Sequence, residues 1–226
     1  MEQLDLENTL KILKKHEIKL YSCELVKNKL DAIKVAERLG YPVAIKVATS
    51  FVVHKSDSGG VYINIKNKKE VEDAVEKITK NVYKKYNKKP DLFLVQKMAK
   101  GIELIIGTKN DPTFGPIIMF GLGGIFVEIF KDVSFRSIPL CDGCIDEMIK
   151  SIQAYKILQG TRGQKGINIK KLKNLMLKIS NMITKENFEE LDFNPVFADE
   201  NDVYIADVRI MVDKNLKNNQ KRGKIK

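Results

Sequence analysis

Tyr41-Pro42-Val43-Ala44-Ile45-Lys46-Val47, a polar loop over 49–60, and then Val61-Tyr62-Ile63-Asn64-Ile65 form the stretch whose reading decides the fold. Residues 43–47 read as a strand, an apolar run that carries a single lysine. Val61, Ile63 and Ile65 alternate with polar partners, the period of a half-buried strand. The loop between them closes on Gly59-Gly60. Upstream, Leu30, Ile33, Ala36 and Leu39 repeat at helical spacing until Gly40 and Pro42 stop the helix, and an earlier helix is expected over 6–16. Downstream, Val71, Ala74, Val75, Ile78 and Val82 predict another helix, and Leu92-Phe93-Leu94-Val95 a strand after Pro90.

A block of β-type segments follows at 102–108, 116–120 and 125–130, with turns at Asp111-Pro112 and Gly121-Leu122-Gly123-Gly124. Two helices come next, on Ile145/Met148/Ile149/Ile152 and on Leu172/Leu175/Met176/Ile179/Met182/Ile183. A hairpin-like pair at 191–197 and 203–208 closes the pattern. The class is α+β, in two lobes with a junction near 96–101. The smaller lobe is expected over about 20–96 and the larger over about 97–213, with the N-terminal helix packed on it. Residues 214–226 are a polar, basic tail.

A chain of 226 residues buries a real core. No apolar run approaches the ~20 residues needed to cross a bilayer, and Met1-Glu2-Gln3-Leu4-Asp5 is acidic rather than a basic leader. A cytoplasmic protein is expected, with no membrane partner. The three cysteines are too few and odd in number for a disulfide framework. Cys141-Asp142-Gly143-Cys144 has the spacing of a redox pair or half a zinc site, but His16 and His54 are the only histidines, and the pair reads as a loop that holds two thiols. The net charge of +11 is spread along helices and gathered in the tail rather than laid out as a stripe with aromatics. That pattern suits polyanionic small ligands, and nucleic acid is not expected as a partner.

Several residues point to phosphate chemistry. Lys46 inside an apolar strand requires its charge to be matched: it either snorkels from an edge strand or holds a phosphate. The loop that follows puts His54 beside Lys55, Ser56 and Asp57. A neutral imidazole is a phosphoryl acceptor near pH 7, with Lys55 to offset charge and Asp57 to orient the ring; the alternative is an ordinary surface histidine. The Gly121–Gly124 cluster is a phosphate cradle or a tight turn, and Arg136 a bidentate phosphate ligand or a surface arginine. Asp192 and Asn194 share one strand face and Asp207 is expected to meet them across a hairpin: oxygen ligands that suit Mg²⁺, or simply a polar surface.

Together these pieces resemble one family. Tyr41-Pro42-Val43-Ala44-Ile45-Lys46 and His54-Lys55-Ser56-Asp57-Ser58-Gly59-Gly60-Val61 are similar to the first half of the ATP-grasp (beta) subunit of ADP-forming acyl-CoA synthetases, acetate–CoA ligases among them. The second half agrees through Val95-Gln96-Lys97-Met98, Gly101-Ile102-Glu103-Leu104-Ile105-Ile106-Gly107 and Asp111-Pro112-Thr113-Phe114-Gly115-Pro116. Phe120-Gly121-Leu122-Gly123-Gly124-Ile125-Phe126-Val127-Glu128, Lys131-Asp132-Val133-Ser134-Phe135-Arg136 and Leu191-Asp192-Phe193-Asn194-Pro195 complete it. The resemblance spans about residues 10–212.

It implies an ATP-grasp fold with ATP or ADP in the cleft between the lobes. Adenine would lie against Gln96 to Met98, Gln96 and Glu103 would face the ribose, and Lys46 and Lys55, with Gly123 and Gly124, would hold phosphates. Asn194 and Asp207 would bind Mg²⁺; Asp192 stands where many ATP-grasp enzymes have glutamate. His54 matches a transiently phosphorylated histidine on a mobile loop, and Arg136 would steady the transferring group. The implied reaction is acyl-CoA + ADP + phosphate = carboxylic acid + ATP + CoA. It needs a CoA-binding alpha subunit with its own phosphohistidine, usually in a heterotetramer. Leu20, where the family often has proline, and the Cys141–Cys144 loop depart from the pattern. Two rival readings remain: another ATP-grasp carboxylate ligase, which has no need of His54, and a non-enzymatic nucleotide- or nucleic-acid-binding module.

Overall fold

The structure is a computed structural model that describes residues 1–52, 55–161, 163, 165–186 and 188–213, without the side chains of Ile125, Phe126 and Glu128. His54 and the 214–226 tail lie outside the described residues. In chain order the elements are β1 (Glu2–Gln3), α1 (Leu6–Lys15), β2 (Cys23–Val26), α2 (Lys29–Leu39), β3 (Val43–Val47), β4 (Val61–Ile65), α3 (Lys68–Tyr86) and β5 (Phe93–Lys97). They continue with β6 (Ile102–Asp111), β7 (Gly115–Leu122), α4 (Ile125–Phe130), β8 (Val133–Ser137), α5 (Asp142–Ser151), α6 (Tyr155–Leu158), α7 (Ile169–Ile183), β9 (Glu190–Ala198), β10 (Val203–Ile205) and β11 (Arg209–Val212).

The chain divides into two compact units, one of residues 5–8 and 21–99 and one of residues 1–4, 9–20 and 100–226. The first holds a four-stranded antiparallel sheet in the order β2-β5-β3-β4. Val43, Ile45, Val47, Phe93 and Val95 face one side and pack on Ile33 and Ala36 of α2 and on Val71, Ala74 and Ile78 of α3. Asn28 and Asn67 cap these helices through side-chain oxygens that accept from Asp31 N and Glu70 N. Leu30 is 67% exposed, so the core stripe of α2 is carried by Ala32, Ile33, Val35 and Ala36. The alternation expected along β4 also breaks: Asn64 takes a positive φ of 60° at a register shift, which turns Ile63 to solvent.

The second unit is built on a seven-stranded antiparallel sheet, β1-β11-β9-β6-β7-β8, with β10 paired to β9. Leu104, Ile106, Ile118, Phe120, Leu191, Phe193 and Val196 are fully buried along its central strands, as are Leu172, Met176, Ile179 and Met182 on α7. The C-terminal end of α1 is fastened near the end of α7, where Glu186 Oε1 accepts from Lys15 Nζ (2.8 Å) and lies 2.7 Å from His16 Nε2. Burial works to raise the Glu186 carboxyl, but its bonds with His16 and Lys15 outweigh it and hold the group below its usual value.

The segment expected as a strand at 125–130 is the helix α4. A six-residue run with five apolar residues fits either period, and here Gly124 (φ 61°) turns the chain into a helix that Lys131 ends in the left-handed conformation. The glycine cluster therefore leads from a strand into a helix rather than joining two strands. The last hairpin differs as well: strand β10 stops at Ile205 and β11 begins at Arg209, leaving Asp207 in the connection. Among the described residues no helix is long and apolar enough to cross a membrane.

Candidate functional site

Lys46 sits on β3, an interior strand of its sheet, so snorkelling from an edge is not available to it. Its neighbours Ile45 and Val47 face the helices, which puts Lys46 on the opposite face with Gln96 of β5. It is nevertheless only 7% exposed, and its Nζ donates to Gln96 Oε1 at 2.9 Å. Gln96 is fixed in turn by its Nε2, which donates to the Tyr21 carbonyl at 2.9 Å. Cys23 pairs with Gln96 across β2 and β5, and burial pushes its thiol up to about 11 against the pull of Lys46. Met98, half-buried, is held by its N–H to the Pro42 carbonyl at 3.1 Å.

The loop after β3 is described on both sides of residues 53–54. Thr49 is buried there, and its hydroxyl finds no hydrogen-bond partner among the described residues. Beyond the gap, Lys55 to Gly60 forms a tight stem: Ser58 Oγ and Gly60 N both donate to the Lys55 carbonyl at 2.8 Å. Helix α3 grips this stem through Asn81 Nδ2 on the Gly59 carbonyl (3.2 Å) and Lys85 Nζ on the Asp57 carbonyl (3.3 Å). Gly59 has φ 60°, which favours glycine, and a Cβ there would lie 2.5 Å from Asn81 Nδ2, so the amide that grips the stem would have to move. Asp57 is exposed and Lys55 half-buried. Tyr21, Thr49, Asn81 and Lys85 escaped the sequence reading. Only Asn81 left a signal, an amide beside the buried Ile78 and Val82 of α3.

In the other unit Glu103 lies on β6, and its carbonyl accepts from Gly123 N at 2.8 Å. Its side chain covers the glycine turn: a Cβ at Gly123 would lie 2.8 Å from Glu103 Cγ, and one at Gly124 would lie 3.1 Å from Glu103 Oε2. Beside it is a cavity of about 450 Å³ lined by Gly101, Ile102, Glu103, Leu122, Gly123, Gly124 and Ile157. Arg136, half-buried on β8, turns its guanidinium back on Phe135 O (2.8 Å) and Ser134 Oγ (3.4 Å).

Asp192 and Asn194 share a face of β9, opposite the buried Leu191 and Phe193. Asp192 faces Arg209 across β11. Burial raises its carboxyl above the usual range; Arg209 pulls it down, while Glu190 and Asp207 push it up further. The structure thus brings Asp207 near Asp192 from a connection rather than from a strand. Asn194 is exposed. No cluster of three or more His, Cys, Asp or Glu side chains is poised for a metal among the described residues. Two carboxylates, Asp192 and Asp207, and the amide oxygen of Asn194 are hard oxygen donors of the kind that suits Mg²⁺, which keeps waters and phosphate oxygens in its shell. In the first unit, the buried Lys46 ammonium likewise suits a phosphate oxygen.

Residues 1–212 match the ATP-grasp domain family. The acetate–CoA ligase [ADP-forming] I subunit beta of Pyrococcus furiosus is 41% identical over 207 residues, covering 89% of this chain and 88% of that protein. The 4-hydroxybutyrate–CoA ligase [ADP-forming] of Nitrosopumilus maritimus is 44% identical over 205 residues; the match covers 88% of this chain but only 29% of that longer protein. Among solved structures, the dinucleotide-forming acetyl-coenzyme A synthetase 1 of Ca. Korarchaeum cryptofilum superposes with a TM-score of 0.77 at 35% identity, covering 94% of this chain and 93% of that one. That structure holds coenzyme A and Mg-AMPPCP, with a phosphohistidine segment pointing towards its nucleotide-binding site. The chain belongs to the ATP-grasp family, and within it to the ATP-grasp portion of ADP-forming acyl-CoA synthetases. Its α+β, ATP-grasp fold is the one the sequence led us to expect, and ATP or ADP with Mg²⁺ are the ligands of such enzymes.

Proposed function

We propose that the chain is the nucleotide-binding component of an ADP-forming acyl-CoA synthetase and that it carries a phosphoryl group on His54. The observation that carries this reading is the buried Lys46 on a central strand, set by Gln96 and followed by a loop whose far stem is fixed to α3. An ammonium so placed holds phosphate oxygens. Two reacting centres too far apart for direct transfer need a covalent carrier.

The neutral imidazole of His54 attacks the terminal phosphorus of ATP. A P–N bond forms, the P–O bond to ADP breaks, and ADP leaves with the bridging oxygen. In the direction of ATP synthesis the same steps run backwards. Lys46 and Lys55 hold phosphate oxygens, Asp57 orients the imidazole, and Arg136 steadies the transferring group. Gln96, Met98, Glu103 and the Gly123-Gly124 turn position the nucleoside and its phosphates. Asn194, Asp207 and Asp192 would hold Mg²⁺, which when bound neutralises charge on the phosphate oxygens. The lobes at about 20–96 and 97–213 divide these tasks. The acyl and CoA chemistry falls to a partner polypeptide with its own phosphohistidine, in a heterotetramer; the relative named as a subunit beta supports the partner subunit.

The test is intact mass at neutral pH after exposure to Mg-ATP, for the wild type and His54→Asn, alone and with the CoA-binding partner. One acid-labile phosphoryl group on the wild type and none on the variant is the expected result. No phosphorylation in either setting overturns the carrier and returns the choice to a ligase of another kind or a passive binding module.

A further inference from the structure

We infer that Cys141 and Cys144 form a thiol–disulfide exchange site, with Cys141 the sulfur that trades bonds with an external thiol. The sequence presents these residues as two thiols in a loop; the structure joins them in a disulfide at the N-terminus of the ten-residue helix α5. Three observations set the direction of the chemistry. Cys141 is the cap residue of α5, and its Sγ accepts the Cys144 N–H at 3.1 Å. Cys141 is exposed, whereas Cys144 is half-buried. Gly143 at the apex is exposed, and a Cβ added there meets nothing within 4 Å, so an incoming group has open space beside the bond.

A backbone N–H and the positive end of a helix both favour a thiolate on Cys141 over one on Cys144. When the pair is reduced, Cys141 is therefore the nucleophile. When it is oxidised, the exposed Cys141 sulfur is the one within reach. Reduction begins when an external thiolate attacks Cys141 Sγ. The new S–S bond forms, the Cys141–Cys144 bond breaks, and Cys144 leaves with the electron pair and takes up a proton. A second external thiol then attacks the mixed disulfide, leaving two thiols on the protein and one external disulfide. Oxidation is the reverse, with an external disulfide as oxidant. The ligand class is thus a thiol or its disulfide, either a monothiol such as glutathione or coenzyme A or a dithiol. The remaining cysteine, Cys23, is half-buried with its thiol pushed up to about 11, which makes it a poor competitor.

The test equilibrates the full chain in glutathione/glutathione disulfide mixtures, and separately in dithiothreitol and its oxidised form. Each sample is acid-quenched, alkylated and read by intact mass, on a Cys23→Ser background. The expected result is a reversible two-electron conversion between dithiol and internal disulfide in both buffers. Cys144→Ser should then collect one glutathione on Cys141, at least ten times faster than Cys141→Ser collects one on Cys144. Conversion in dithiothreitol but not in glutathione would narrow the partner to a dithiol and still support the site. Failure of the wild type to close its disulfide in excess oxidant, or equal trapping by the two variants, overturns the inference. The wild-type titration stands even if a variant folds poorly, and none of these outcomes depends on the phosphoryl carrier.

Discussion

Replacing Lys46 and Gln96 separately and together divides what this pair does for the fold from what it does for a ligand. Gln96→Leu removes the 2.9 Å acceptor of the ammonium and the 2.9 Å bond to the Tyr21 carbonyl. A hydrogen bond to a charged group contributes about 1.5–3 kcal/mol and a neutral one about 1, so a loss of about 2–4 kcal/mol is expected. Lys46→Met also strands Gln96 Oε1, but it removes the burden of an ammonium only 7% exposed. These effects oppose each other, and a net change within about 1 kcal/mol is expected. The double variant should fall short of the summed losses by about 1–2 kcal/mol, because the ammonium whose bond Gln96→Leu removes is itself gone. Binding should sort the variants differently. Losing one charge-assisted bond to phosphate weakens ADP by about 1.5–3 kcal/mol, or roughly 10- to 100-fold at 1.4 kcal/mol per decade. Urea unfolding gives the first set of numbers and titration calorimetry with Mg-ADP the second. Wild-type affinity in a folded Lys46→Met protein would refute the phosphate role, and a Gln96→Leu loss below about 0.5 kcal/mol would refute the buried pair.

Three further outcomes are expected. Asp192 titrates above the usual carboxylate range when folded, so the folded chain holds that proton more tightly than the unfolded chain does. Its contribution is fully present below about pH 4 and is lost as pH rises through the raised value; Asp192→Asn should therefore raise the urea midpoint at pH 7 and match the wild type near about pH 3.5. Asn81→Ala releases the Gly59 carbonyl, and a loss of about 1 kcal/mol there speeds amide exchange at Gly59 and Gly60 about fivefold; unchanged exchange would show that α3 does not secure the stem. Gly124→Ala forces a side chain into φ 61°, ψ −146°, which costs about 1–3 kcal/mol, and thermal unfolding at an unchanged midpoint would contradict the backbone argument.

Much of the fold was legible where period and punctuation agreed. The helix over Lys68–Tyr86 announces itself by Val71, Ala74, Val75, Ile78 and Val82, and all five are buried. The strand Val43–Val47 was legible too, but its place inside the sheet was not, because neighbour order is a long-range property. That order is what removes the edge-strand reading of Lys46. The segment 125–130 was misread because six residues lack the length to separate the two periods. Strand β2 was missed because Cys23-Glu24-Leu25-Val26 is too short to show a pattern, and it gains its place by pairing with β5. In the site, Asp192 and Asn194 followed from simple alternation, whereas the approach of Asp207 depended on where β10 ends. Residue types and spacing marked the glycine turn, but only the folded chain shows the Glu103 side chain laid over it.

The pairing of β1 with β11, Glu2 opposite Val212 and Gln3 opposite Met211, has an architectural consequence. Antiparallel partners stand about 5 Å apart, so the path into the sheet at Glu2 and the path out at Val212 run side by side at one edge. A domain with adjoining entry and exit behaves as a cassette. It can be spliced into a longer polypeptide, or tethered at either end, without stretching its own sheet.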